Sequence, residues 1–326
     1  MGCNGTSRAT DHLRETDEAP NMRRTIPLVA VVALTLALTA CGGDPEPAAS
    51  SASRPTASAA STGPASPSAS PSTGTGGLYV ALGDSLAAGY QPGGAELRDT
   101  AYPALTATRI GATGPALTLE NLGCSGETTT SLVKGGKCDF AAGSQLDQAE
   151  KLLKASDDVS LVTIDIGGND LLRCVQGGAQ IDTACVTAGV GTVKKNLPTI
   201  LKRLKAAAGT DVPVLVLGYY NPWLAAKALD QPIKGVDAAA KAYTALSTAI
   251  ESAAKTSGTT FVGLDQAFST NDTTPTKING RSVPKNAAAI CTLTNICTAA
   301  DIHLTDEGAA TVARVLAKAA EKAGVS

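Results

Sequence analysis

Ser85 and His303 are the side chains of this sequence whose chemistry best suits nucleophilic catalysis. Ser85 lies in a Gly-Asp-Ser-Leu segment, in which Gly83 permits a tight backbone turn. A serine hydroxyl becomes a nucleophile when a base that titrates near neutrality takes its proton, and imidazole is such a base. The sequence holds two histidines, and the other one, His12, precedes a predicted export cleavage site. The pattern therefore predicts a serine nucleophile with His303 as its base.

The elements that must position these residues follow from five apolar runs. The runs cover residues 78–82, 116–122, 160–166, 212–217 and 260–264. Helical patterns alternate with them, including apolar spacings of three and four over 236–253 and a helix predicted to begin after Thr305. This alternation predicts an α/β fold with a parallel sheet covered on both faces. Ligands of such folds bind beyond the carboxyl ends of the strands, so the polar residues there form the candidate site.

Four polar segments occupy those strand ends and the start of the last helix: 83–86, 121–126, 167–170 and 301–305. In this order they resemble the sequence blocks of the GDSL/SGNH hydrolases, and the resemblance covers essentially all of 78–326. It implies a flavodoxin-like fold, a five-stranded parallel sheet in the order 2-1-3-4-5 between helices, and ester cleavage through an acyl-enzyme. The secreted lipases and esterases of actinobacteria, which also carry six cysteines, are the members that it resembles most.

The resemblance also implies an oxyanion hole. In the family this site uses the backbone N–H of the nucleophile, a backbone N–H from a glycine of the second block, and the asparagine amide of the third. These donors correspond here to Ser85, Gly123 and Asn169. Preorganised neutral donors of this kind stabilise the charge that develops on the carbonyl oxygen. We expect no metal or organic cofactor, because serine, imidazole and these donors suffice for acyl transfer.

The sequence leaves open what orients His303. The usual family pattern places an aspartate three residues before the histidine, but that position is Ala300 here and the acid is Asp301. Either the Asp301 side chain reaches the imidazole, or the main-chain carbonyl of Ala300 orients it, as in some members of the family. Side chains two and three residues before the histidine point in different directions, so the carbonyl is the favoured alternative.

Six cysteines fall within 78–326, an even number that predicts three disulfides in an exported domain. Sequence alone leaves their connectivity open, and nearest-neighbour pairing is the simplest choice because each pair closes a short loop. That pairing joins Cys124 with Cys138, Cys174 with Cys185, and Cys291 with Cys297. Disulfides at these places would hold the loops that carry the site.

The N-terminal region resembles a bacterial lipoprotein signal peptide. Arg23 and Arg24 precede an apolar run over 26–38, and small residues then lead to Cys41. The run is short for a membrane span, and the order of basic, apolar and small segments fits an export signal. We expect Cys41 to carry the lipid, which would anchor the chain to the membrane.

The chain is therefore expected to have three parts. Residues 1–40 are a leader and signal peptide, in which 1–21 fit no export signal and indicate an over-extended gene start. Residues 41–77 are rich in Ala, Ser, Pro and Thr and predict a flexible linker. Residues 78–326 form one domain. This order predicts a lipoprotein at the outer face of the cytoplasmic membrane, partly released outside the cell.

The composition of the chain limits the classes of partner that we expect. The formal net charge is -2 and aromatic residues make up 3% of the chain, with no basic cluster within 78–326. Both features disfavour nucleic-acid binding. The expected partners are an ester of a small molecule or lipid and the membrane that holds the lipid of Cys41, with the protein itself a monomer.

Two alternatives to an esterase or lipase of acyl esters remain at this point. One is a carbohydrate O-acetyl esterase, and the other is a catalytically inactive lipid-anchored binding or adhesion protein on the same fold. Ser85 together with His303 favours an enzyme, because a binding protein has no reason to retain both. Tyr219, Tyr220 and Trp223 follow the fourth apolar run and either wall an acyl pocket or cover the edge of the core.

Overall fold

A computed structural model describes residues 76–176, 180–229 and 235–325. The predicted leader, the expected lipid attachment at Cys41 and nearly all of the linker lie outside these residues. Within them, no helix is both long enough and apolar enough to cross a membrane.

The elements of the described chain are as follows. The strands are β1 (Leu78–Gly83), β2 (Thr118–Asn121), β3 (Val159–Asp165), β4 (Val175–Gln176), β5 (Gln180–Ile181), β6 (Val214–Leu217), β7 (Thr260–Val262), β8 (Pro275–Ile278) and β9 (Arg281–Pro284). The α-helices are α1 (Ser85–Ala88), α2 (Tyr102–Gly111), α3 (Thr129–Lys134), α4 (Gln145–Ala155), α5 (Gly168–Leu172), α6 (Thr183–Ala208), α7 (Val236–Thr256), α8 (Lys285–Leu293), α9 (Ile296–Ala299) and α10 (Asp306–Lys322). Two 3-10 helices cover Arg98–Thr100 and Pro222–Lys227.

Five strands form one parallel sheet in the order β2-β1-β3-β6-β7. Numbered among themselves along the chain, they have the order 2-1-3-4-5, so the predicted fold class is confirmed. Strand β6 is buried along its whole length and β1 and β3 along most of theirs, as their continuous apolar runs predicted. The antiparallel pairs β4–β5 and β8–β9 lie outside this sheet and were not predicted.

Each face of the sheet carries its own apolar cluster. Val80 and Val216 point to the face covered by α4, α6 and α7, whereas Tyr79 and Leu215 point to the face covered by α2 and α10. This alternation follows from the two-residue period of a strand. The helices therefore lie on both sides, and the loops at the carboxyl ends of β1 and β3 are left to form a site.

Strands β2 and β7 are shorter than their predicted runs, and β6 begins at Val214 rather than at residue 212. Strand β2 covers four residues rather than the apolar run 116–122, and β7 ends at Val262 rather than 264. Both strands lie at the edges of the sheet, where one neighbour is missing and an apolar run continues into a loop without pairing. The last helix begins as predicted, because the Thr305 side chain accepts a hydrogen bond from the Gly308 N–H.

Candidate active site

Ser85 is the first residue of α1, directly after the turn that ends β1. The Asp84 side chain caps this short helix by accepting a hydrogen bond from the Leu86 N–H at 3.0 Å. Gly83 has a φ of 151°, and a Cβ at this position would collide with the carboxylate of Asp165. Glycine is therefore required for the turn that presents the Ser85 hydroxyl at the end of the sheet.

The imidazole of His303 lies against this hydroxyl. The distance from His303 Nε2 to Ser85 Oγ is 2.8 Å, although the two residues are 218 positions apart in the chain. On its other side the imidazole packs against the ring of Tyr90, with ring centroids 4.4 Å apart. The structure thus brings together the two residues that the sequence singled out, in a geometry that permits proton transfer between them.

Asp301 contacts the second nitrogen of the imidazole. Its Oδ1 lies 2.6 Å from His303 Nδ1 and also accepts a hydrogen bond from the His303 N–H at 2.8 Å. Ala300 ends α9 in the left-handed region with a φ of 53°. This reversal turns the chain so that a carboxylate two residues before the histidine folds back onto it. Of the two alternatives for orienting His303, the structure shows the contact of the Asp301 side chain, whereas the preference for the Ala300 carbonyl assumed a regular backbone before His303.

Asn169 lies in α5 and lines the same cleft as Ser85 and His303. Its Nδ2 donates one hydrogen bond to the Glu127 carbonyl at 3.0 Å. A side-chain amide carries two N–H bonds, so the second remains for a ligand. The Ser85 N–H has no acceptor in the part of the chain that the structure describes, as expected for the first residue of a helix.

Gly123 is placed differently from what its expected role requires. Its N–H donates to Asn121 Oδ1 at 2.9 Å, and its backbone packs against Ala87 and Ala88 of α1. An amide that is bonded within its own loop is not free to bind an oxyanion. The glycine of this segment is instead needed for close packing on α1, a role that spacing in the sequence did not reveal.

Gly126 is the other glycine of the segment. It has a φ of 78°, and its N–H finds no acceptor among the described residues. The next residue is Glu127, whose carbonyl accepts the hydrogen bond from the Asn169 side chain, so Gly126 directly precedes the residue that orients Asn169. The sequence offered two glycines in this segment without distinguishing them.

The loop after β2, which we call the second-block loop, carries Gly123 and Gly126 and is held by two charged side chains from the segment between α1 and α2. Arg98 donates to the carbonyls of Asn121 and Gly123 at 3.1 and 2.7 Å. The same guanidinium pairs with Glu96 at 2.7 Å, and Glu96 accepts a hydrogen bond from the Ser125 N–H at 3.3 Å. These contacts fix the loop backbone in front of the cleft.

The cysteines pair as nearest neighbours. The bonds are Cys124–Cys138, Cys174–Cys185 and Cys291–Cys297. The first lies in the second-block loop, the second joins the segment after α5 to α6, and the third joins α8 to α9 ahead of His303. Each bond thus lies next to a segment that carries a candidate site residue.

A buried pair of carboxyl groups lies behind α1. Asp165, at the end of β3, accepts hydrogen bonds from the Asp84 N–H at 3.3 Å and from the Tyr102 hydroxyl. The Tyr219 hydroxyl donates to Asp84 Oδ2 at 2.6 Å. Burial, followed by the nearby charge of Asp84, raises the pKa of Asp165 well above its ordinary value. A single carboxyl within an otherwise apolar strand was the sequence signal for this pair, and it was missed.

Gln145, the first residue of α4, is fully buried and binds the strand end next to the nucleophile. Its Oε1 accepts from the Gly83 N–H and its Nε2 donates to the Gly83 carbonyl, both at 2.9 Å. The same Nε2 lies 3.4 Å from Glu127 Oε2. Gln145 therefore connects the nucleophile turn with the loop that holds Asn169, and nothing in its sequence context indicated this.

The cleft at Ser85 has a volume of about 320 Å³, its open mouth included. Tyr219 and Tyr220 line it, whereas Trp223 does not and faces a separate pocket. Tyr219 and Tyr220 therefore form part of the cleft wall, whereas Trp223 covers the region behind it. In the described ranges, no group of three His, Cys, Asp or Glu residues is arranged to hold a metal ion.

The model of the GDSL-like lipase/acylhydrolase family matches residues 81–311. No curated protein sequence matches the chain.

Similar solved structures include three bacterial enzymes. The extracellular lipase of Streptomyces rimosus is 22% identical, with a TM-score of 0.50 over 74% of this chain and 99% of that one. Phospholipase A1 from Streptomyces albidoflavus is 23% identical, with a TM-score of 0.42 over 65% and 95%. A lipase/acylhydrolase from Enterococcus faecalis is 17% identical, with a TM-score of 0.43 over 76% and 96%. At these identities the similarity concerns the fold.

Proposed function

Because the chain belongs to the GDSL-like lipase/acylhydrolase family of ester-cleaving hydrolases, we propose that it hydrolyses carboxylic esters through an acyl-enzyme on Ser85. One observation carries the proposal: Ser85 Oγ lies 2.8 Å from His303 Nε2, whose ring is held by Asp301 at 2.6 Å from Nδ1. Nucleophile, base and orienting carboxylate are thus aligned as acyl transfer requires.

In the first step Ser85 Oγ attacks the ester carbonyl carbon while its proton passes to His303 Nε2. The carboxylate of Asp301 keeps the other imidazole proton on Nδ1 and stabilises the imidazolium that forms. The carbonyl π electrons move to oxygen, which becomes an oxyanion. His303 then gives its proton to the alcohol oxygen as the carbon–oxygen bond of the ester breaks, and the acyl group remains on Ser85.

The oxyanion donors that we propose are the Ser85 N–H, the Asn169 amide and the Gly126 N–H, in place of Gly123. Support comes from the free N–H of Asn169 in the cleft and from the Glu127 carbonyl that orients it. Each such donor contributes roughly 3 kcal/mol to transition-state stabilisation in serine hydrolases. We expect Asn169→Ala to lower kcat by about 10²- to 10³-fold with a smaller effect on KM.

Deacylation repeats the chemistry with water as nucleophile. His303 takes a proton from water, whose oxygen attacks the acyl carbon, and the same donors bind the second oxyanion. The proton then returns to Ser85 Oγ as the acyl–oxygen bond breaks and the carboxylic acid is released. The chain's own residues account for each proton in this cycle.

We further propose that the enzyme is exported and works as a monomer at the outer face of the membrane. The disulfides favour an oxidising compartment. In this proposal residues 1–40 are removed, Cys41 carries the lipid, and 41–77 tether the domain 78–326. Mass spectrometry of the mature N-terminus tests it: a diacylated Cys41 is expected, and a mature chain that starts elsewhere contradicts it.

Hydrolysis of p-nitrophenyl acetate and butyrate tests the proposed activity. We expect the wild type to hydrolyse them and Ser85→Ala to fall to the rate without enzyme. Ser252→Ala, which alters an exposed serine on α7, is the matched control and should keep wild-type activity. Equal rates for wild type and Ser85→Ala would favour the inactive binding protein instead.

A further inference from the structure

A second apolar pocket lies next to the Ser85 cleft, and the two share residues of one wall. The cleft is lined on this side by Leu172, Tyr243 and Pro222. The second pocket is nearly filled by its lining, with about 10 Å³ free for a water-sized molecule. Its lining residues are Leu171, Leu172, Ile181, Val186, Trp223, Ala239, Ala242 and Tyr243. Leu172 and Tyr243 line both spaces, and we call them the partition.

The partition comes from two different helices. Leu172 is the last residue of α5, three positions after the candidate oxyanion donor Asn169. Tyr243 lies in the first half of α7 and is 8% exposed. The cleft and the pocket are therefore separated by one side chain from α5 and one from α7.

The apolar lining of the cleft suits the acyl chain of an ester. The hydroxyls of Tyr219 and Tyr220 are bonded to Asp84 and to the Ile302 carbonyl. Leu172, Pro222 and these rings therefore offer a largely apolar surface beside Asn169. A separate depression at Ser85 has a mixed lining, in which Gln91, Thr100 and Asp306 stand among apolar side chains, and it leaves a place for the alcohol part of the ester.

The space in the cleft limits the length of that chain. Only about 20 Å³ of the cleft is free for a water-sized molecule, because its 320 Å³ includes open solvent. The second pocket is apolar, and the buried polar atom without a partner in its described lining is the indole nitrogen of Trp223. Space for a longer hydrocarbon chain would arise there only if the partition were removed.

We propose that Leu172 and Tyr243 make this protein specific for short acyl groups, of about two to four carbons, by closing the Ser85 cleft against the second pocket. The inference rests on the proposed ester hydrolysis. It identifies the partition as the determinant of chain length, because removing one of its side chains would join the cleft with the second pocket.

Removing the partition tests the inference. The wild type should prefer p-nitrophenyl acetate and butyrate to octanoate. In Tyr243→Ala, the ratio of kcat/KM for octanoate to that for acetate should rise by about tenfold, the effect of burying roughly two further methylene groups. Leu172→Ala opens the same partition from α5 and should shift the ratio in the same direction.

Two further variants separate the partition from general effects on folding. Tyr243→Phe keeps the ring and should retain the wild-type ratio. Ala242→Leu adds volume inside the second pocket, so combining it with Tyr243→Ala should cancel the gain on octanoate. Circular dichroism and melting temperatures show which variants are folded.

The outcomes distinguish the two proposals. A wild type without activity on any ester refutes the proposed function itself. A wild type that hydrolyses octanoate as well as acetate refutes the inference while ester hydrolysis stands. A folded Tyr243→Ala or Leu172→Ala with an unchanged ratio also refutes it.

Discussion

The side chain of Gln145 forms two hydrogen bonds with the backbone of a single residue, Gly83, each 2.9 Å long. It supplies an acceptor to the N–H and a donor to the carbonyl, as a neighbouring strand would. Gly83 lies two residues before Ser85, so the rigidity of this contact determines where the Ser85 hydroxyl is presented. Gln145 is therefore a positioning residue for the proposed nucleophile.

Replacing Gln145 by leucine should lower activity more than affinity. The variant leaves the buried N–H of Gly83 unpaired, a loss of about 1 to 3 kcal/mol, while the Gly83 carbonyl keeps the hydrogen bond from the Cys124 N–H. We expect kcat to fall by about 10- to 100-fold with KM nearly unchanged, because the Ser85 hydroxyl and not the cleft is displaced. Steady-state kinetics on a short ester measure this.

Gln145→Glu is the matched variant, since its carboxyl can still accept from the Gly83 N–H. It should retain more activity than the leucine variant. Equal losses of kcat and of affinity in both variants would indicate a general structural role instead.

Asp301→Asn tests what orients the imidazole. An amide at this position can present N–H to Nδ1 and so favour the wrong tautomer of His303. We expect kcat to fall by about 10²- to 10⁴-fold. Ala300→Gly is the control: it keeps the main-chain carbonyl, and glycine accepts the left-handed φ of 53°. Near wild-type kcat in Asp301→Asn would restore the Ala300 carbonyl as the orienting group.

Because Asp165 is buried, the free energy of unfolding should fall as the pH rises. Burial and the neighbouring Asp84 raise its pKa in the folded protein, so the folded state holds a proton that the unfolded chain releases above about pH 4. The stabilisation of the folded state by the Asp165 carboxyl is therefore fully present below that pH and declines as the pH rises toward the raised pKa. Asn has no such titration, so the free energy of unfolding of Asp165→Asn, relative to wild type, should increase between pH 4 and 8.

Urea denaturation at several pH values measures this difference. Asp272→Asn is the control, because the hydrogen bond from Lys285 lowers the pKa of Asp272 to about 2. Asp272 stabilises the fold above the pKa of the unfolded carboxyl and loses this effect as the pH falls. The difference in free energy of unfolding between Asp272→Asn and wild type should therefore stay constant from pH 5 to 8. A pH-independent difference for Asp165→Asn would mean that Asp165 ionises normally.

The Cys124–Cys138 bond should matter for the stability of the second-block loop. It spans 14 residues, and a loop of that length corresponds to about 3 kcal/mol in the chain-entropy description. The double variant Cys124→Ala/Cys138→Ala should unfold at a lower urea concentration and lose activity faster on heating. Unchanged rates of thermal inactivation, together with unchanged activity, would show that this bond does not hold the site.

The sequence predicted the features that depend on regular periodicity. Strand ends and the N-cap of α10 follow from apolar spacing and from the residue type of Thr305, and they place Ser85 and His303 at one edge of the sheet. The features of the candidate site that the sequence left unsettled depend on irregular backbone. The left-handed Ala300 turns Asp301 onto the imidazole, and the loop after β2 distinguishes Gly123 from Gly126.

Polar contacts between residues far apart in the sequence could not be predicted either. Gln145 binds Gly83 across 62 residues, and Tyr102 binds Asp165 across 63. Such pairs depend on how α2 and α4 pack on the sheet, which periodicity within each helix does not specify. Asp165 alone left a signal, as a carboxyl in an apolar strand that must find a buried partner.

The most direct test of the central claim is covalent labelling of the full chain with a fluorophosphonate, read by intact mass and peptide mapping. The reagent reacts with an activated serine hydroxyl and releases fluoride. We expect a single adduct on Ser85, absent from Ser85→Ala and formed about 10²- to 10⁴-fold more slowly in His303→Ala. An adduct on another residue, or ester hydrolysis that persists in Ser85→Ala at the wild-type rate, would contradict the account.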